Sequence, residues 1–593
     1  MVALAGAAEH AALHAPVAVI GAGPAGLVTS LLLSKYRIRH LLIEKYPTMA
    51  HTPRAHIINQ RTVEILRDLG LEDDFRQIAM AWPLMENCVW HVSLSGLELA
   101  RRRSWGAGPD RHVDYTQSSP CEMANCGQHL LEPMLLDAAQ KSEFAEVRLN
   151  YELVALEQDP AGVDATIRQR ITGQELRVRS DYLVGADGGR SPVAAAIGLD
   201  YDGEEGLAAS ATIHFHADLE RFVAHRPGAL YWNAVPGLDG FRGAGTLICH
   251  QPWHDWALAF SYDPEKLAQP TDEGLAMARL RKVIGDDSVA IDIKNIGTWT
   301  INRLVAREYS VGRVFCMGDA VHRHPPTNGL GLNTSVADAY NLAWKLALVV
   351  DGRADPALLG SYSQERQPVG RQIVERAYAS IGDTAALREA FGFDSAQSEE
   401  EGEEAIALLH RAGPDGEARR EMVAATLAGT DYQFNAHGVE VGYRYRNGAT
   451  VPDGTPEPPF TRDPELYDHP STWPGAHLPH AWLDDGNRQL STGDIVGPGA
   501  FTLITGIGGD GWIGAAAEAA RSTGVDVDVR FVGTADGYID CYGDWRRLRE
   551  VAESGCVLVR PDRFVAWRAR DDRDESLQAL PGVVATLLGR GSR

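Results

Sequence analysis

Thiols, basic residues and long apolar runs are all scarce in this 593-residue chain. Its seven cysteines (Cys88, Cys121, Cys126, Cys249, Cys316, Cys541 and Cys556) are scattered, odd in number and form no CxxC pair. That pattern argues against a disulfide framework or a cysteine zinc site, and reads as reduced thiols in a cytoplasmic protein. No stretch approaches the roughly 18 apolar residues of a membrane span. Residues 1–15 are Ala-rich but lack a basic segment and a sustained apolar run, so they read as a disordered leader rather than a signal peptide. Lys and Arg total 56 against 80 Asp and Glu, a net charge of −24. Such a balance argues against nucleic acid or an anionic membrane as a partner. With 44% hydrophobic residues the chain can still bury a large core, enough for two or three domains.

What the chain does have is three short motifs suited to one dinucleotide. The first is Gly21-Ala22-Gly23-Pro24-Ala25-Gly26, between the apolar run Pro16–Ile20 and a helical stretch Leu27–Tyr36. Glycines at this spacing allow a tight turn, close approach of a pyrophosphate and close helix–strand packing, and the helix head offers free N–H groups. Glu44 ends a second strand, His40–Glu44, 18 residues past the last glycine, where a carboxylate suits a ribose with free hydroxyls. The second motif, Gly185-Ala186-Asp187-Gly188-Gly189-Arg190, closes an apolar strand; Ser191 and Pro192 read as the N-cap and first residue of a helix. The third, Met317-Gly318-Asp319-Ala320, follows the strand Val314–Met317. After it comes Pro325-Pro326-Thr327-Asn328-Gly329-Leu330-Gly331-Leu332-Asn333 and a long helix from about Thr334 to Val350. That loop can lay backbone N–H groups against a planar ring, and the positive head of the helix stabilises negative charge there by roughly 0.3–2 kcal/mol.

Other features read as structural. A second GxGxxG, at Gly506, Gly508 and Gly511, lacks a clean acidic strand end downstream and is crowded by Trp512. The His322/His324 pair has no carboxylate or thiolate beside it in sequence, so no metal is expected. The acidic run Glu399–Glu404 reads as a solvated face. Residues 208–262 alternate and are rich in aromatics, which predicts an antiparallel sheet.

With these motifs in this order, the chain resembles the single-component flavoprotein aromatic monooxygenases of the para-hydroxybenzoate hydroxylase fold. The stretches CMGDAVHRHPPTNGLGLNTSVADAYNLAWKL and HTPRAHIINQRTVEILRDLGLED (51–73) are most similar to the phenol and 2,4-dichlorophenol hydroxylase branch. The resemblance implies an α/β fold. A Rossmann-like FAD domain (16–80, 121–200 and 300–395) is interleaved with an antiparallel-sheet substrate domain (81–120 and 201–299). A helical, acidic connector (396–470) leads to a thioredoxin-like domain without CxxC (471–593). It further implies one bound FAD, transient NADPH or NADH, and hydroxylation of a phenol, hydroxypyridine or polyketide-type ring beside a ring hydroxyl through a flavin C4a-hydroperoxide. Partners are then the aromatic substrate, O2 and a second copy in a homo-oligomer.

Carried onto this sequence, Gly21, Gly23, Pro24, Ala25 and Gly26 flank the pyrophosphate, and Glu44 and Lys45 the adenosine ribose. Val154 and Asp187 lie along the cofactor, Gln128, Gly318 and Asp319 at the ribityl chain, and Pro325, Gly329, Gly331, Leu332 and Asn333 around the ring system. Arg54, His56 and Pro325 are the candidate catalytic residues. Phenol hydroxylases of this type use a Tyr and an Asp near the ring; the Asp does not align here, since Arg54-Ala55-His56 occupies its neighbourhood, and His56 is the candidate to replace it. Tyr231, Trp232, His216 and Arg303 are candidates for the substrate wall. Two other readings stay beside this one. A halogenase would carry W-x-W-x-I-P, and the nearest text, Trp253-His254-Asp255-Trp256, is wrongly spaced. A non-catalytic flavin carrier would keep the motifs without turnover.

Overall fold

The computed structural model describes residues 13–49, 52–238, 244–393, 397–497, 499–534 and 536–590. Most of the expected leader, residues 1–12, lies outside these; the first strand already begins at Leu13, three residues ahead of the apolar run that announced it.

That strand, Leu13–Ile20, is central to a mixed sheet. It pairs in parallel with His40–Glu44 on one side and Glu175–Gly185 on the other. Ala145–Leu149 and Val314–Cys316 extend the parallel set at its two ends. Every residue of His40–Glu44 is buried, as parallel strands covered on both faces require. The crossover from the first strand to His40–Glu44 is helix α1 (Pro24–Lys35), which buries Ala25 through Leu33. Helices α2 (Gln60–Asp68) and α3 (Gln128–Gln140) follow, α2 capped by the Asn59 side chain on Thr62 N–H. All three chemistry-bearing motifs sit at the carboxyl ends of these parallel strands, where open α/β sheets bind ligands.

The second large sheet runs in the order His322–Arg323, Asp292–Ala306, Tyr201–His216, Asp255–Tyr262, Thr246–Gln251, Gly228–Asn233, Asn87–His91, Glu98–Arg103. Its pairs are antiparallel except Gly228–Asn233 with Asn87–His91. Helix α4 (Glu273–Ile284), capped by Asp272, buries Ala276, Leu280, Val283 and Ile284 in the same hydrophobic cluster.

Helix α5 (Gly331–Val350) buries every residue from Leu332 to Val349, and helix α6 (Ser361–Phe391) follows it. Burial all round a helix marks the centre of a molecule rather than its surface. Two charged clusters make that burial tolerable. In one, Glu365 pairs with Lys345 (2.7 Å) and Arg560 (2.7 Å), and Arg560 with Asp562 (2.6 Å). Burial alone would raise the Glu365 carboxyl, but the two cations outweigh it and hold it at about 2. This cluster locks the C-terminal part of the chain onto α5 and α6.

In the C-terminal part, a four-stranded sheet has the order Val527–Phe531, Phe501–Thr505, Cys556–Val559, Val565–Ala569, parallel in the first pair and antiparallel in the others. Helix α7 (Gly511–Thr523) crosses between the parallel strands and α8 (Asp574–Leu587) closes the unit. This is a thioredoxin-like arrangement. The Gly506–Gly511 loop lies at the head of α7, as the spacing predicts, but it is filled by the protein itself. A Cβ at Gly506 would lie 2.8 Å from Glu553 O, one at Gly508 3.6 Å from Ser554 Cβ, and one at Gly511 2.8 Å from Leu577 Cδ1. Trp512 is buried and donates from Nε1 to Ser554 O (2.8 Å). The glycines there serve packing.

Removing one partner from a buried ion cluster strands the others. Glu365→Gln is therefore expected to destabilise the fold by about 3–5 kcal/mol, read from urea unfolding; a change under about 1 kcal/mol would mean the cluster is not the lock described.

Candidate active site

The three motifs meet in space. Gly21, at φ +101°, sits so tightly on the second motif that a Cβ would lie 2.3 Å from Ala186 O; a Cβ on Gly26 would lie 1.9 Å from Gly21 O. Gly23 differs: a Cβ there would meet nothing nearer than Glu132 Oε1 at 4.0 Å. Two of the glycines are thus explained by the turn and by helix packing, and the middle one borders open space. The third motif closes on the other two. A Cβ on Gly318 (φ +61°) would lie 2.8 Å from Ser335 Oγ and 3.7 Å from Ala25 Cβ, and one on Gly189 would lie 4.0 Å from Asp319 Cβ.

Around that space the polar groups are only partly used. Glu44 accepts from Ala22 N–H (2.7 Å) and Tyr46 N–H (3.0 Å). Asp187 Oδ2 accepts from Val193 N–H (3.1 Å), while its buried Oδ1 has no partner among the described residues. Burial raises the Asp187 carboxyl, against the pull of Ser191 and Val193. Asp319 is exposed on the short turn Gly318–Ala320. The first bond at the head of α5 runs from Thr334 N–H to Leu330 O (2.9 Å), which leaves the N–H groups of Gly331, Leu332 and Asn333 without a helical partner. An orphaned carboxylate oxygen, an unfilled glycine and a free helix head fit a dinucleotide's hydroxyls and phosphates.

The Pro325–Gly331 loop lies over the His56 segment. A Cβ on Gly329 (φ +66°) would lie 2.7 Å from Ile57 Cβ. Pro325 is buried and its carbonyl holds His324 Nδ1 (2.7 Å). Segment 55–58 is bound to 124–128: Ala55 O accepts from Gln128 N–H (2.9 Å) and His56 O from Cys126 N–H (2.7 Å). Gln128 donates to Glu132 (2.6 Å), Arg54 is exposed, Lys45 lies over the Tyr46 ring (5.3 Å), and Val154 is exposed on the strand Tyr151–Asp159.

His56 has a fixed tautomer. Asn125 donates its Nδ2–H to Cys249 O (2.6 Å), so its Oδ1 faces His56 and must accept from Nδ1–H (2.6 Å). That leaves His56 Nε2 as a lone-pair acceptor. Burial pulls its pKa down to about 4, partly offset by the Asn125 bond, so the ring is neutral at physiological pH.

Several expected positions do not take the expected part. Adjacent strand residues point to opposite faces, so Tyr231 and Trp232 cannot line one wall. Tyr231 is fully buried, its hydroxyl donating to Arg226 O (3.0 Å) and its ring near Trp256 (5.9 Å), and burial raises its pKa. Trp232 takes the other face, shared with Thr246 and Thr212, and stacks near Trp90 and Phe434 (6.4 Å each). Arg303 binds Glu375 on α6 and covers the Tyr378 ring (4.3 Å), so its guanidinium is engaged by α6. The Asn333 side chain is consumed within the protein: Oδ1 accepts from Asn59 N–H (3.0 Å) and Thr62 Oγ1 (2.7 Å), and Nδ2 donates to Ile57 O (2.9 Å) and Gly329 O (2.7 Å). It clamps the loop to α2. His216, 44% exposed at its side chain, lies 3.8 Å from Asp255. His322 does acquire a carboxylate by folding, Asp338 of α5 at 2.8 Å, which also binds Arg366 (2.8 Å) and accepts from Gly318 N–H (3.1 Å).

Sequence reasoning missed a histidine cluster. Asp255 bridges His129 Nε2 (3.0 Å) and His214 Nε2 (2.8 Å), with His250 packed against His129. The i, i+2 histidines of ATIHFHADL, on one face of a strand, were its visible trace.

Comparison with known proteins agrees with this geometry. Residues 14–377 match the family described as FAD binding domain, and residues 471–591 the family described as aromatic-ring hydroxylase, C-terminal. The chain is 44% identical to a 2,4-dichlorophenol 6-monooxygenase of Delftia acidovorans, over 97% of this chain and 98% of that one. It is 40% identical to a phenol 2-monooxygenase of a Pseudomonas species, over 95% and 91%. The crystal structure of the flavin-dependent monooxygenase PieE, in complex with FAD and substrate, superposes with a TM-score of 0.94 at 49% identity, covering 98% of this chain and 99% of that one. The chain belongs to the FAD-dependent aromatic-ring hydroxylases: it is a flavoprotein monooxygenase that places oxygen from O2 on an aromatic ring. The halogenase and non-catalytic readings are not favoured.

Burial holds His56 at about 4, His480 at about 4 and His91 at about 3, all below the 6.5 of a free imidazole. As pH falls through about 6.5 the unfolded chain takes up protons the folded chain refuses, so stability drops from there to about pH 4. Carboxylates held low, such as Glu64 at about 2, add their loss only below about pH 4.5. Urea unfolding at about pH 5 is therefore expected to show roughly 1–3 kcal/mol less stability than at about pH 7.5; equal values would contradict the neutral, buried state of these rings.

Proposed function

We propose that this hydroxylase acts on a phenol-type ring, sets the new hydroxyl beside the existing one, and uses His56 Nε2 to take the phenolic proton. The observation that carries this reading is the Asn125-fixed tautomer of a neutral His56 next to the Gly329 loop. The printed names of the two relatives support the position: carbons 2 and 6 of a phenol both flank the hydroxyl-bearing carbon. A hydroxypyridine or a phenolic natural product meets the same demand for an ionisable ring hydroxyl.

In this reading the adenosine half of FAD lies along Gly21, Gly23, Gly26 and Glu44, with Lys45 and Val154 beside it. Asp187, Gln128, Gly318 and Asp319 face the ribityl and pyrophosphate chain. Pro325, Gly329 and the α5 head border the reacting ring system, and Arg54 flanks it from the 52–58 segment. When bound, the flavin takes electrons from NADPH or NADH and activates O2 for transfer to carbon. The protein's own part is to place the ring, remove its proton and keep water out. Removing the proton enriches the ring carbons beside the oxygen, which is where electrophilic oxygen adds. Trp232, Trp90 and Phe434 supply an apolar wall that limits water, since water diverts activated oxygen to peroxide. The C-terminal domain, without a CxxC pair, is read as an assembly element of a cytoplasmic homo-oligomer.

A panel of phenols and hydroxypyridines tests this reading by NAD(P)H consumption and product analysis. At least one is expected to accelerate NAD(P)H oxidation and to yield a 1,2-dihydroxylated ring; acceleration with peroxide as the only product from every compound would sink it. Asp319→Ala is expected to weaken FAD binding by about tenfold or more, through loss of charge-assisted hydrogen bonds. The ratio of flavin to protein absorbance after gel filtration reads this, and full retention of flavin would remove Asp319 from the cofactor site.

A further inference from the structure

Asp255 is a buried carboxylate that no lysine or arginine meets among the described residues. Its ion-pair contacts there are three histidines, His129, His214 and His216. By contrast, the buried carboxylates of Glu365, Asp338 and Glu64 each face an arginine or a lysine. A carboxylate taken out of water is paired with a cation or binds a metal. We propose that Asp255, His129 and His214, closed by His216, form a site for one zinc ion that pins helix α3 to the second sheet. The site lies outside the flavin chemistry and stands whether or not His56 is the base.

The backbone sets out the ligands. His214 and His216 stand two apart on the strand Tyr201–His216, so their side chains share a face. Asp255 lies directly across from His216 on the antiparallel neighbour and shares that face. His129 reaches it from the first turn of α3. One donor atom from each of His129, His214 and Asp255 lies within 4.8 Å of the other two. From the Asp255 carboxylate the spacings are 3.0 Å to His129 Nε2, 2.8 Å to His214 Nε2 and 3.8 Å to His216 Nε2. Zinc bonds of about 2.0–2.2 Å at tetrahedral angles place neighbouring donors about 3–3.5 Å apart. The observed spacings bracket that range. The His216 side chain, 44% exposed, has the freedom to close the fourth position and the access to admit the ion.

The donor set selects the metal. Three imidazoles and one carboxylate suit zinc, whereas calcium and magnesium ask for a shell of oxygens. His250 supplies a second, independent sign. A metal-bound imidazole carries its remaining proton on the other nitrogen and calls for an acceptor there. In His129 that nitrogen is Nδ1, buried without a hydrogen-bond partner among the described residues, as are both nitrogens of His250. The two rings pack edge to face at 5.3 Å, and their Nδ1 atoms border one spot. A Cβ on Gly127 would lie 2.7 Å from His129 Nδ1 and 3.0 Å from His250 Nδ1. His250 is thus placed as the outer acceptor for a zinc-bound His129. With all four positions filled by protein, the ion is structural. It joins α3 to the second sheet beside the 124–128 segment, whose Asn125 orients His56.

The test uses the FAD-loaded protein, cleared of metal with a chelator and titrated with zinc chloride in a calorimeter. One zinc per chain is expected to bind, and excess zinc to raise Tm by about 2 °C or more. Asp255→Asn is expected to weaken zinc binding by about a hundredfold or more, and His250→Phe by about tenfold. His216→Ala, at a half-exposed position, tests the site in a protein whose core is untouched. It is expected to bind zinc about tenfold more weakly and to change the visible spectrum of the cobalt(II)-substituted protein. No zinc binding by the wild type would overturn the proposal. So would one zinc per chain held as tightly as in the wild type by either Asp255→Asn or His216→Ala, which would place the ion elsewhere. These readouts use no phenol and no turnover, so the zinc site and the hydroxylase reading can fail separately.

Discussion

One buried carboxylate holds the third motif against helix α5. Asp338, in the middle of α5 and fully buried, accepts from Gly318 N–H, His322 and Arg366. Burial by itself would raise its carboxyl; Arg366 and His322 outweigh that and keep it charged. The charge therefore fixes where the third motif stands relative to α5. Everything chemical depends on that relation, because Asp319 follows Gly318 and the helix head lies seven residues before Asp338. A buried ion pair is weak evidence for stability and better evidence for register. Here the register is that of a loop against a helix head.

The same helix then does two jobs at its two ends. Its N-terminal end offers unpaired N–H groups beside the Gly329 loop, and its C-terminal half carries Lys345 into the Glu365–Arg560–Asp562 cluster. The thioredoxin-like unit is thus bolted to the same helix whose head carries the Gly329 loop. Asn333 adds a second clamp, tying the loop to Asn59 and Thr62 at the head of α2. The third motif and its loop are consequently held to α2, α5 and α6 by side-chain hydrogen bonds and ion pairs. Such clamping suits a reaction in which placement and water exclusion matter beside removal of a proton.

Much of this was legible in the residues. The βαβ start, the strand ahead of Asp187 with its Ser191–Pro192 cap, and the long helix after Asn333 all follow from local pattern, because glycine spacing, caps and apolar runs are local signals. The GxGxxG at Gly506 shows the limit of such signals. Its βαβ context is real, yet its glycines answer to Glu553, Ser554 and Leu577. Tyr231 and Arg303 were misplaced because a side chain's face and its ion-pair partner depend on tertiary register, which composition does not carry. The His129–Asp255–His214 cluster left only the i, i+2 histidines of one strand as a trace, for the same reason: its members come from three segments of the chain and meet only when α3 packs on the second sheet. His56 was singled out by its position in a motif, and the fold adds what the motif lacked, the Asn125 bond that fixes its tautomer.

The central claim is that the three motifs form one flavin site and that His56 faces the substrate hydroxyl across it. A crystal structure of the enzyme with FAD and a bound phenol tests this most directly. The account predicts the pyrophosphate over Gly23, a ribityl hydroxyl within hydrogen-bond distance of Asp319, and the phenolic oxygen within hydrogen-bond distance of His56 Nε2. A flavin seated elsewhere, or a phenolic oxygen turned away from His56 toward another base, would contradict it.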